Sequence, residues 1–600
     1  MIKISDYISE FLSKIGITDI FLISGGGMMH LLDSVKKNEN LNLYFNLNEQ
    51  ATSICADGYA QVTNSISAFI VTTGPGGTNA ITGLAASWLD STPVLAISGQ
   101  VKTSDMGTLR GLRQFGAQEV DIISIVKPIT KYAVTVLKKE DIRYHLEKAV
   151  YLATHGRRGP VWIDVPLDIQ GSTVDETQLI GFDPSAEGLA EFYPINSAEI
   201  SKIYQLINIS KRPLILAGHG VVASNSSDDL RNIVNEFNIP VMTTWRAKGI
   251  FGEDEPLYMG HPGIPTTRYS NYILQNCDLL IIIGTRLNAA LTAYAEKRFA
   301  NGAKKVIIDI EQNEIDKLDM NFEVKLTTDA GSFIRTFYEQ KSLYNPINRG
   351  KWLEYCNFIK AKYPLSKEVQ PFDNEGLTDG FEFADKLSNY TTNKDLFVGS
   401  SSGRTCGISH MAFKTKLGQK FISSMGLGSM GFTLPYAIAC SIAYNKKRTI
   451  AIEGDGSLQH NIQELALVNT YNIPLKLFIL SNNGYASIFT MQRNNFSSRF
   501  AGCNPESGLG FPSVKAIAQA YNIPYYRIEN NSQINSVLTE VMSDDKPIIC
   551  EIISSIQFDE IPKSMTIANP DGTFTSSNLE NLYPFVSQQE QNENMPIWED

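Results

Sequence analysis

Residues 450–488 decide the fold class, and they read IAIEGDGSLQHNIQELALVNTYNIPLKLFILSNNGYASI. Two short apolar runs each end in a polar turn, GDGS at 454–457 and NNG at 482–484. The stretch NIQELALVNTYN between them predicts a helix. Strand, turn, helix and strand in this order predict a βαβ unit, whose strands end at one edge of a parallel sheet. We therefore expect Asp455 and Asn482, 27 positions apart, to lie close together.

The same alternation of apolar runs and helical patterns continues through most of the chain. Its 600 residues are too many for one core. We predict an α/β protein with three doubly wound parallel-sheet domains, separated by polar segments at 167–188 and 341–376. The predicted domains are 1–170, 190–340 and 375–560. We expect a C-terminal tail, 561–600, to lie over the third domain or to close a site.

Composition excludes several classes of partner. A formal net charge of −11 and a pI near 5.3 argue against nucleic acid and anionic membranes. No apolar run reaches the ~20 residues that span a bilayer. The first residues predict a helix and a strand and lack the pattern of a secretory signal. Seven scattered cysteines without a CxxC pair indicate reduced thiols in a cytoplasmic protein, with no zinc site.

The opening stretch carries the chemistry of a metal and phosphate site. A carboxylate and an amide oxygen suit Mg²⁺, which completes its octahedron with waters and phosphate oxygens. The glycines allow close backbone approach, and the N-terminus of the following helix favours an anion. We therefore predict a Mg²⁺-diphosphate site. For GDG taken alone, an ordinary turn is the alternative.

The complete arrangement resembles the thiamine diphosphate (ThDP) binding motif of the acetolactate synthase and pyruvate decarboxylase superfamily. The resemblance implies that Asp455, Asn482 and the carbonyl group of Gly484 bind Mg²⁺. It also implies that the backbone and side chains around them hold the cofactor. The residues assigned to this cradle are Gly454, Gly456, Ser457 and Asn483.

A second resemblance lies near the start of the chain, in LYFNLNEQATSICADGYAQ (43–61). It is similar to the catalytic glutamate segment of these enzymes, which implies that Glu49 contacts N1′ of the aminopyrimidine. An apolar pocket there would favour the protonated carboxyl group and let it act as an acid near neutral pH. The alternative is that Glu49 only caps a helix.

Further landmarks follow the family order. TTGPGGTNAITGLAASWLDSTPVLAISGQ (72–100) resembles the GPG-x-TN, DS-x-P and GQ motifs, and implies that Gln100 points into the cavity. SSMGLGSMGFTLPYAIA (423–439) resembles GLG-x-MG, in which Met430 would wedge between the two rings of ThDP; core filling is the alternative. The other implied cofactor contacts are Gly74, Gly76, Gly77, Ser400, Ser401 and Gly428.

The resemblance covers nearly the whole chain and implies a site shared between subunits of a homodimer or homotetramer. The shared chemistry is decarboxylation of a 2-oxo acid such as pyruvate, after which the protein decides the fate of the two-carbon unit. SGQVKTSDMG (98–107) and QEVDIISIVKPITKYAV (118–134) resemble acetolactate synthase. No histidine occurs between His30 and His145, where simple decarboxylases carry a pair.

Two departures point away from a typical acetolactate synthase. The GARFDDR run is replaced by GTRLNAA (284–290), and Ala117 stands where an aromatic residue precedes the Gln118-Glu119 pair. Ala117 implies a wider acceptor pocket beside Gln118, which we count among the catalytic residues. The segment NPDGTFTSSNLENLYPF (569–585) is similar to tails of flavin-containing carboligases that acetylate keto sugars on nucleotide carriers, and a wider pocket suits such a bulky acceptor. We therefore predict a transferase of this kind. The alternatives are an acetolactate synthase condensing two pyruvates, a 2-oxo acid decarboxylase or oxidase, and a non-catalytic cofactor-binding homologue.

The central domain resembles the FAD-binding domain of the synthases. The resemblance implies FAD contacts at Arg286, Asp309 and Asp329. The alternative is a structural domain without a cofactor. We expect His219 and His261 to be surface or loop residues and not ligands.

Overall fold

The computed structural model describes residues 1–189, 195–368, 376–568 and 571–598. These residues contain three parallel sheets of five or six strands, which confirms the predicted fold class. The predicted domain limits at 190 and 375 lie outside the described residues. Within the described ranges, no helix is both long and apolar enough to cross a membrane.

The first domain is built on a six-stranded sheet, with a short antiparallel pair joining Ile2–Lys3 to Thr173–Val174. In spatial order, its strands are Asn42–Phe45, Asp19–Leu22, Ser67–Val71, Val94–Gln100, Val161–Pro166 and Tyr132–Thr135. Its α-helices are Ile4–Lys14, Met29–Lys37, Glu49–Thr63, Pro75–Asn79, Ile81–Asp90, Ile122–Val126, Ile142–Thr154 and Leu167–Gly171.

The central domain is built on a five-stranded sheet. In spatial order, its strands are Val241–Thr243, Pro213–Ala217, Leu279–Ile283, Lys304–Asp309 and Val324–Thr327. Its α-helices are Ser197–Ile209, His219–Ala223, Ser227–Phe237, Arg268–Asn276, Gln312–Asp316, Ala330–Glu339, Gly350–Lys362 and Leu365–Glu368.

The third domain has six parallel strands and is followed by a short hairpin and a helix. In spatial order, its strands are Phe421–Ile422, Leu396–Val398, Thr449–Gly454, Leu475–Ser481, Ile548–Ile553 and Tyr525–Ile528. Its α-helices are Gly380–Ser388, Gly403–Met411, Thr433–Ala443, Asp455–Leu458, Leu465–Thr470, Ala486–Asn495, Val514–Ala520 and Ile534–Val541. The tail contains Thr566–Ala568, Phe574–Ser576 and the helix Gln588–Asn594.

The first and third domains share one hydrophobic core. Helix Glu49–Thr63 packs against helix Thr433–Ala443 at close range. A Cβ at Gly58 would lie 2.9 Å from the ring of Tyr436, so glycine is needed at this crossing. The two predicted cofactor-binding domains are therefore fixed relative to each other within one chain.

Two local expectations differ from the structure in detail. The predicted helix over 461–472 is a 3₁₀ turn, Ile462–Glu464, followed by the short helix Leu465–Thr470. The polar segment 341–376 contains the helix Gly350–Lys362, whose Trp352 is buried in the central domain. One face of this helix, with Trp352, Tyr355, Cys356 and Ile359, is buried.

The C-terminal tail lies over the central domain, so the expected position over the third domain is wrong, while the alternative that it closes a site stays a prediction. Tail residues Leu579, Met595 and Trp598 join the same apolar cluster as Trp352. The indole N–H of Trp598 donates to Oδ1 of Asn276 at 3.1 Å. The apolar tail residues thus pack against one face of the central domain and become part of its hydrophobic core.

Candidate active site

The predicted neighbours at the edge of the third sheet do meet. Asp455 begins the short helix after strand Thr449–Gly454, and Asn482 follows the adjacent strand Leu475–Ser481. Oδ2 of Asp455 accepts from the backbone N–H groups of Asn482 at 2.9 Å and Asn483 at 2.7 Å. Oδ1 accepts from the N–H of Gly456 at 2.8 Å. The carboxylate is therefore fixed by both turns of the βαβ unit.

The polar atoms of this cradle fit a hard cation. Oδ1 of Asn482 is buried and has no hydrogen-bond partner among the described residues. Burial raises the pKa of Asp455 to about 6, although the three amide hydrogen bonds oppose the rise. A desolvated carboxylate beside an unpartnered amide oxygen matches the oxygen ligands of Mg²⁺. No cluster of three His, Cys, Asp or Glu side chains suited to a metal occurs in the described part of the chain.

Gly484 completes the turn under tight steric limits. A Cβ at this position would lie 2.3 Å from the carbonyl oxygen of Cys503, so a side chain would force the backbone to move. At Gly456, a Cβ would lie 2.5 Å from the ring of Tyr485. Both glycines allow the two turns to approach each other and their neighbours closely. Gly454, in contrast, has no such close neighbour.

The GLG-x-MG segment is anchored beside the cradle. Oγ of Ser457 accepts from the N–H of Gly431 at 2.8 Å. On the other side, Oγ of Ser401 donates to the carbonyl oxygen of Ser429 at 2.8 Å. Met430 lies between these two anchors and is partly exposed, with Gly428 in the left-handed region at φ 66°. Met430 is thus not a core-filling methionine in this chain.

Ser400 differs from its neighbour. Its side chain is fully buried, and its hydroxyl group is 2.8 Å from Oγ1 of Thr405. It also lies 3.3 Å from the carbonyl oxygen of Ser402. A direct contact between Ser400 and a diphosphate would have to replace one of these bonds.

Glu49 is the first residue of helix Glu49–Thr63, as predicted. The Asn48 side chain caps this helix by accepting from the N–H of Gln50 at 2.8 Å, so capping does not depend on Glu49. Glu49 is partly exposed, and its Oε2 accepts from Nδ2 of Asn79 at 3.0 Å. The carboxyl group is therefore held at the first-domain surface without a charged partner in the described part of the chain.

A glycine turn connects Glu49 with the Gln118 segment. Gly74 precedes helix Pro75–Asn79, whose last residue contacts Glu49. A Cβ at Gly74 would lie 2.4 Å from the carbonyl oxygen of Gln118. Gln118 is exposed and adopts φ 64°. At Gly76, a Cβ would lie 2.9 Å from Cγ2 of Thr72, and at Gly77 it would lie 3.0 Å from the side chain of Ile122.

Gln100 does not extend freely into a cavity. It is 2% exposed, and its Oε1 accepts from Oγ1 of Thr73 at 2.9 Å. Its Nε2 donates to the carbonyl oxygen of Val120 at 3.0 Å and to Asp164 at 3.2 Å. The side chain ties strand Val94–Gln100 to the segments around Gly74 and Gln118. The structure thus gives Gln100 a supporting position.

Two buried acids outside the predicted set support these segments. Glu464 accepts from Nδ2 of Asn46 and from the N–H of Leu47, both at 3.0 Å, and so holds the turn before Glu49. Glu119 accepts four backbone N–H groups from the loop 107–116. Burial alone would raise the pKa of Glu119, but these bonds outweigh it and lower the pKa to about 2. Glu464 lies within the 450–488 stretch and Glu119 within 118–134, and only the fold reveals their partners.

A cavity of about 610 Å³ lies where the three domains meet. This volume is within the ~300–1,000 Å³ typical of ligand and cofactor sites. Arg286, Asp309 and Asp329 all line it, so the structure brings the three predicted FAD contacts together. Asp309 ends strand Lys304–Asp309, and Asp329 caps helix Ala330–Glu339.

The cavity wall is rich in guanidinium groups. Burial lowers the pKa of Arg286, with a further contribution from the nearby Arg157. Burial also raises the pKa of Asp309 to about 6. Clustered, partly desolvated cations favour an anionic ligand, and Arg binds phosphates especially well. The arginines that line the cavity are Arg157, Arg158, Arg246 and Arg286.

The two central histidines occupy different places. His219 begins helix His219–Ala223 and lines the cavity; burial and the adjacent Arg246 lower its pKa. His261 is a loop residue, but its side chain is only 6% exposed, and its Nδ1 lies 3.1 Å from Oγ1 of Thr243. His261 therefore fits the loop alternative of the expectation and not the surface one, and its polar atoms are satisfied inside the central domain.

Three family models match the chain. They are the thiamine pyrophosphate enzyme N-terminal TPP binding domain at residues 2–125, the central domain at 200–337 and the C-terminal TPP binding domain at 401–552. Each range contains most of the strands of one of the three parallel sheets.

Full-length relatives agree with the family models. A probable acetolactate synthase large subunit from Methanococcus aeolicus is 32% identical over 552 residues, covering 89% of this chain and 88% of the relative. One from Methanocaldococcus jannaschii is 31% identical over 566 residues, covering 92% of each. The acetolactate synthase large subunit of Cyanidium caldarium is 30% identical over 557 residues, covering 91% and 92%.

The chain belongs to the thiamine pyrophosphate enzyme family. Within that class it is a ThDP-dependent carboligase of the acetolactate synthase-like group.

Proposed function

We propose that this enzyme decarboxylates pyruvate or a related 2-oxo acid and transfers the acetyl unit to a bulky carbonyl acceptor, a nucleotide-linked keto sugar. ThDP supplies the electron sink that stabilises the carbanion character developed on decarboxylation. The remaining tasks of binding, orientation and proton transfer fall to the residues of this chain. The observation that carries the choice of acceptor is the loop 107–116 beside Gln118.

The proposed roles follow from the placement of each group. Asp455, Asn482 and the Gly484 carbonyl would hold Mg²⁺, and the unpartnered Oδ1 of Asn482 supports this assignment. Glu49 would hold a proton at N1′ of the aminopyrimidine. Met430, between its two anchored neighbours, would support the cofactor rings. The turns at 454–457 and 400–401 would bind the diphosphate.

The loop 107–116 supports a large anionic acceptor. It is fixed by Glu119 at its base, and its tip exposes Leu109, Leu112 and Phe115. Arg113 is exposed and makes no ion pair among the described residues. The guanidinium of Arg110 lies 4.8 Å from the centre of the Phe115 ring. An apolar surface with two cations suits a sugar joined to a diphosphate.

A second candidate is an acetolactate synthase that condenses two pyruvates. The relatives favour it, since proteins named acetolactate synthase large subunits are similar to this chain over most of both lengths. The two candidates share the decarboxylation step and differ in the size and charge of the acceptor.

Product analysis separates the candidates. We expect purified enzyme with ThDP, Mg²⁺ and pyruvate to form an acetylated sugar when a nucleoside diphosphate-linked keto sugar is present. Arg113→Gln should raise KM for that acceptor several-fold and leave pyruvate consumption in its absence unchanged, because the guanidinium would contact only the acceptor. Lys14→Gln, which removes an exposed cation on helix Ile4–Lys14, is the matched control. Acetolactate as the sole product at saturating sugar would instead support the second candidate.

We propose FAD as the ligand of the central cavity. The clustered arginines would contact its diphosphate, and the cavity volume is within the range of cofactor sites. We expect the purified protein to show the visible absorbance of a bound flavin. Arg286→Gln should lower the bound flavin at least about tenfold, the cost of ~1.4 kcal/mol of lost interaction. Arg335→Gln, outside the cavity lining, should retain it. Equal flavin content in both variants would contradict the assignment.

We also propose a homodimer or a homotetramer located in the cytoplasm. Glu49 has no contact with the GDGS turn among the hydrogen bonds and ion pairs of the described residues. Leu47, two positions before it, is 56% exposed, and Leu427 and Ile488 are exposed in the third domain. Apolar side chains of this kind beside a site favour burial by a second copy. The seven unpaired thiols are compatible with a reducing compartment.

A further inference from the structure

Asp90, from the DS-x-P motif, lies at the junction of the three domains. It ends helix Ile81–Asp90 and is 1% exposed. Its Oδ2 accepts from Oγ of Ser424 at 2.7 Å and from the N–H of Met425 at 3.0 Å. Its Oδ1 accepts from the N–H of Gly426 at 2.9 Å. One carboxylate of the first domain therefore fixes three consecutive residues of the third.

Gly426 permits this contact. A Cβ at Gly426 would lie 2.6 Å from Cβ of Leu89 and 2.9 Å from Oδ1 of Asp90. Any side chain would push the segment away from the carboxylate. The residues that follow, 428–431, are those anchored by Ser401 and Ser457 beside Asp455. Asp90 thus holds the start of the segment whose end reaches the ThDP cradle.

The central domain reaches the same carboxylate through Arg246. Nη1 of Arg246 lies 3.4 Å from Oδ1 of Asp90 and donates to its backbone carbonyl oxygen at 2.7 Å. Nη2 is 3.2 Å from Nε2 of His219. Nε is buried and has no partner among the described residues. Arg246, His219 and Asp90 all line the central cavity, so a ligand there would meet this group directly.

We propose that Asp90 is a positioning residue that links the central cavity to the segment 424–430, so that a ligand in the cavity and ThDP bind cooperatively. A buried carboxylate needs both its amide donors and its cationic partner, because an unpaired buried charge is costly. A ligand that fixes Arg246 holds the carboxylate where residues 424–426 require it. ThDP then binds a segment that is already ordered. This inference rests on the proposed function, with FAD as the cavity ligand.

The test measures ThDP affinity, in the presence of Mg²⁺, for flavin-free and FAD-saturated protein. We expect FAD to raise the ThDP affinity of the wild-type protein at least about fivefold, within the usual range of coupling between sites. Asp90→Asn keeps the size of the side chain but loses its charge and one acceptor, so the ratio should fall close to one. Arg335→Gln removes a guanidinium outside the cavity lining, where it contacts Ser226 instead of Asp90. This matched control should keep the wild-type ratio.

The outcomes separate the inference from the proposed function. Wild-type protein that binds both ligands without cooperativity, or an Asp90→Asn protein with the full wild-type ratio, would overturn the inference and leave the proposed function intact. Wild-type protein that fails to bind FAD would refute the cavity assignment and the inference with it. A general loss of stability would not change the ratio of ThDP affinities with and without FAD. Thermal unfolding measures that loss of stability separately. If Asp90→Asn does not fold, Ser424→Ala removes one bond to the carboxylate and should also lower the ratio.

Discussion

Asp455→Ala is expected to abolish Mg²⁺-dependent retention of ThDP. Among the described residues, Asp455 is the only one whose carboxylate lies between the two turns of the cradle. Without it, the amide oxygen of Asn482 would have to bind the cation with no anionic ligand beside it. Loss of an outer-shell partner already costs about 10–100-fold in metal affinity, so loss of this ligand should cost at least ~100-fold in ThDP affinity with Mg²⁺ present. Calorimetric titration with ThDP, at fixed Mg²⁺ and again with excess chelator, checks this.

Two further variants test whether the loss of ThDP binding is specific to the proposed metal site. Asn482→Ala removes the unpartnered amide oxygen and leaves its backbone N–H bond to Asp455 in place, so it should also weaken binding in a Mg²⁺-dependent manner. Asp545→Ala removes the same charge from an exposed position in the same domain and should bind as the wild type does. Retention of Mg²⁺-dependent binding by Asp455→Ala would remove this residue from the metal site.

Glu49→Gln should leave ThDP bound and nearly abolish turnover. The amide has the same shape and still accepts from Asn79, but it carries no proton that it could transfer at the pyrimidine. General acid–base groups contribute about 10²–10⁴-fold, so kcat for pyruvate consumption should fall by that factor. Steady-state kinetics and ThDP titration on the same preparation separate the two effects.

The control for this variant is Glu10→Gln, an exposed acid on helix Ile4–Lys14 that should keep full activity. A Glu49→Gln enzyme with wild-type kcat would show that the carboxyl group takes no part in the reaction. Loss of ThDP binding with no separate effect on turnover would instead assign Glu49 a binding role.

The local geometry of the candidate site could be predicted from sequence, because a parallel βαβ unit brings the ends of its two strands together. Asp455 and Asn482 are the example, since the run of apolar residues before each one fixes its place in the sheet. The start of the helix at Glu49 was also predictable, although the structure shows that Asn48 is its capping residue. These features depend on contacts within short stretches of chain, or between neighbouring strands.

Other features depend on contacts between distant segments, which a single sequence does not encode in its pattern. The partners of Asp90 lie in two other domains, and the loop that Glu119 holds has no periodic signal. The position of the tail depends on apolar residues such as Trp598, which pack against the hydrophobic core of the central domain. In helix Gly350–Lys362, by contrast, the spacing of Trp352, Tyr355, Cys356 and Ile359 was a readable helical signal among polar neighbours.

Co-expression of the two inactive variants tests the central claim most directly. If Glu49 of one chain and Asp455 of its partner form one site, a hybrid dimer of Glu49→Gln and Asp455→Ala chains contains one fully wild-type site. Random pairing in a symmetric dimer then predicts that the mixture regains about a quarter of wild-type activity, although each variant alone is inactive. A mixture no more active than its separate components would contradict a site built from both residues across the subunit boundary.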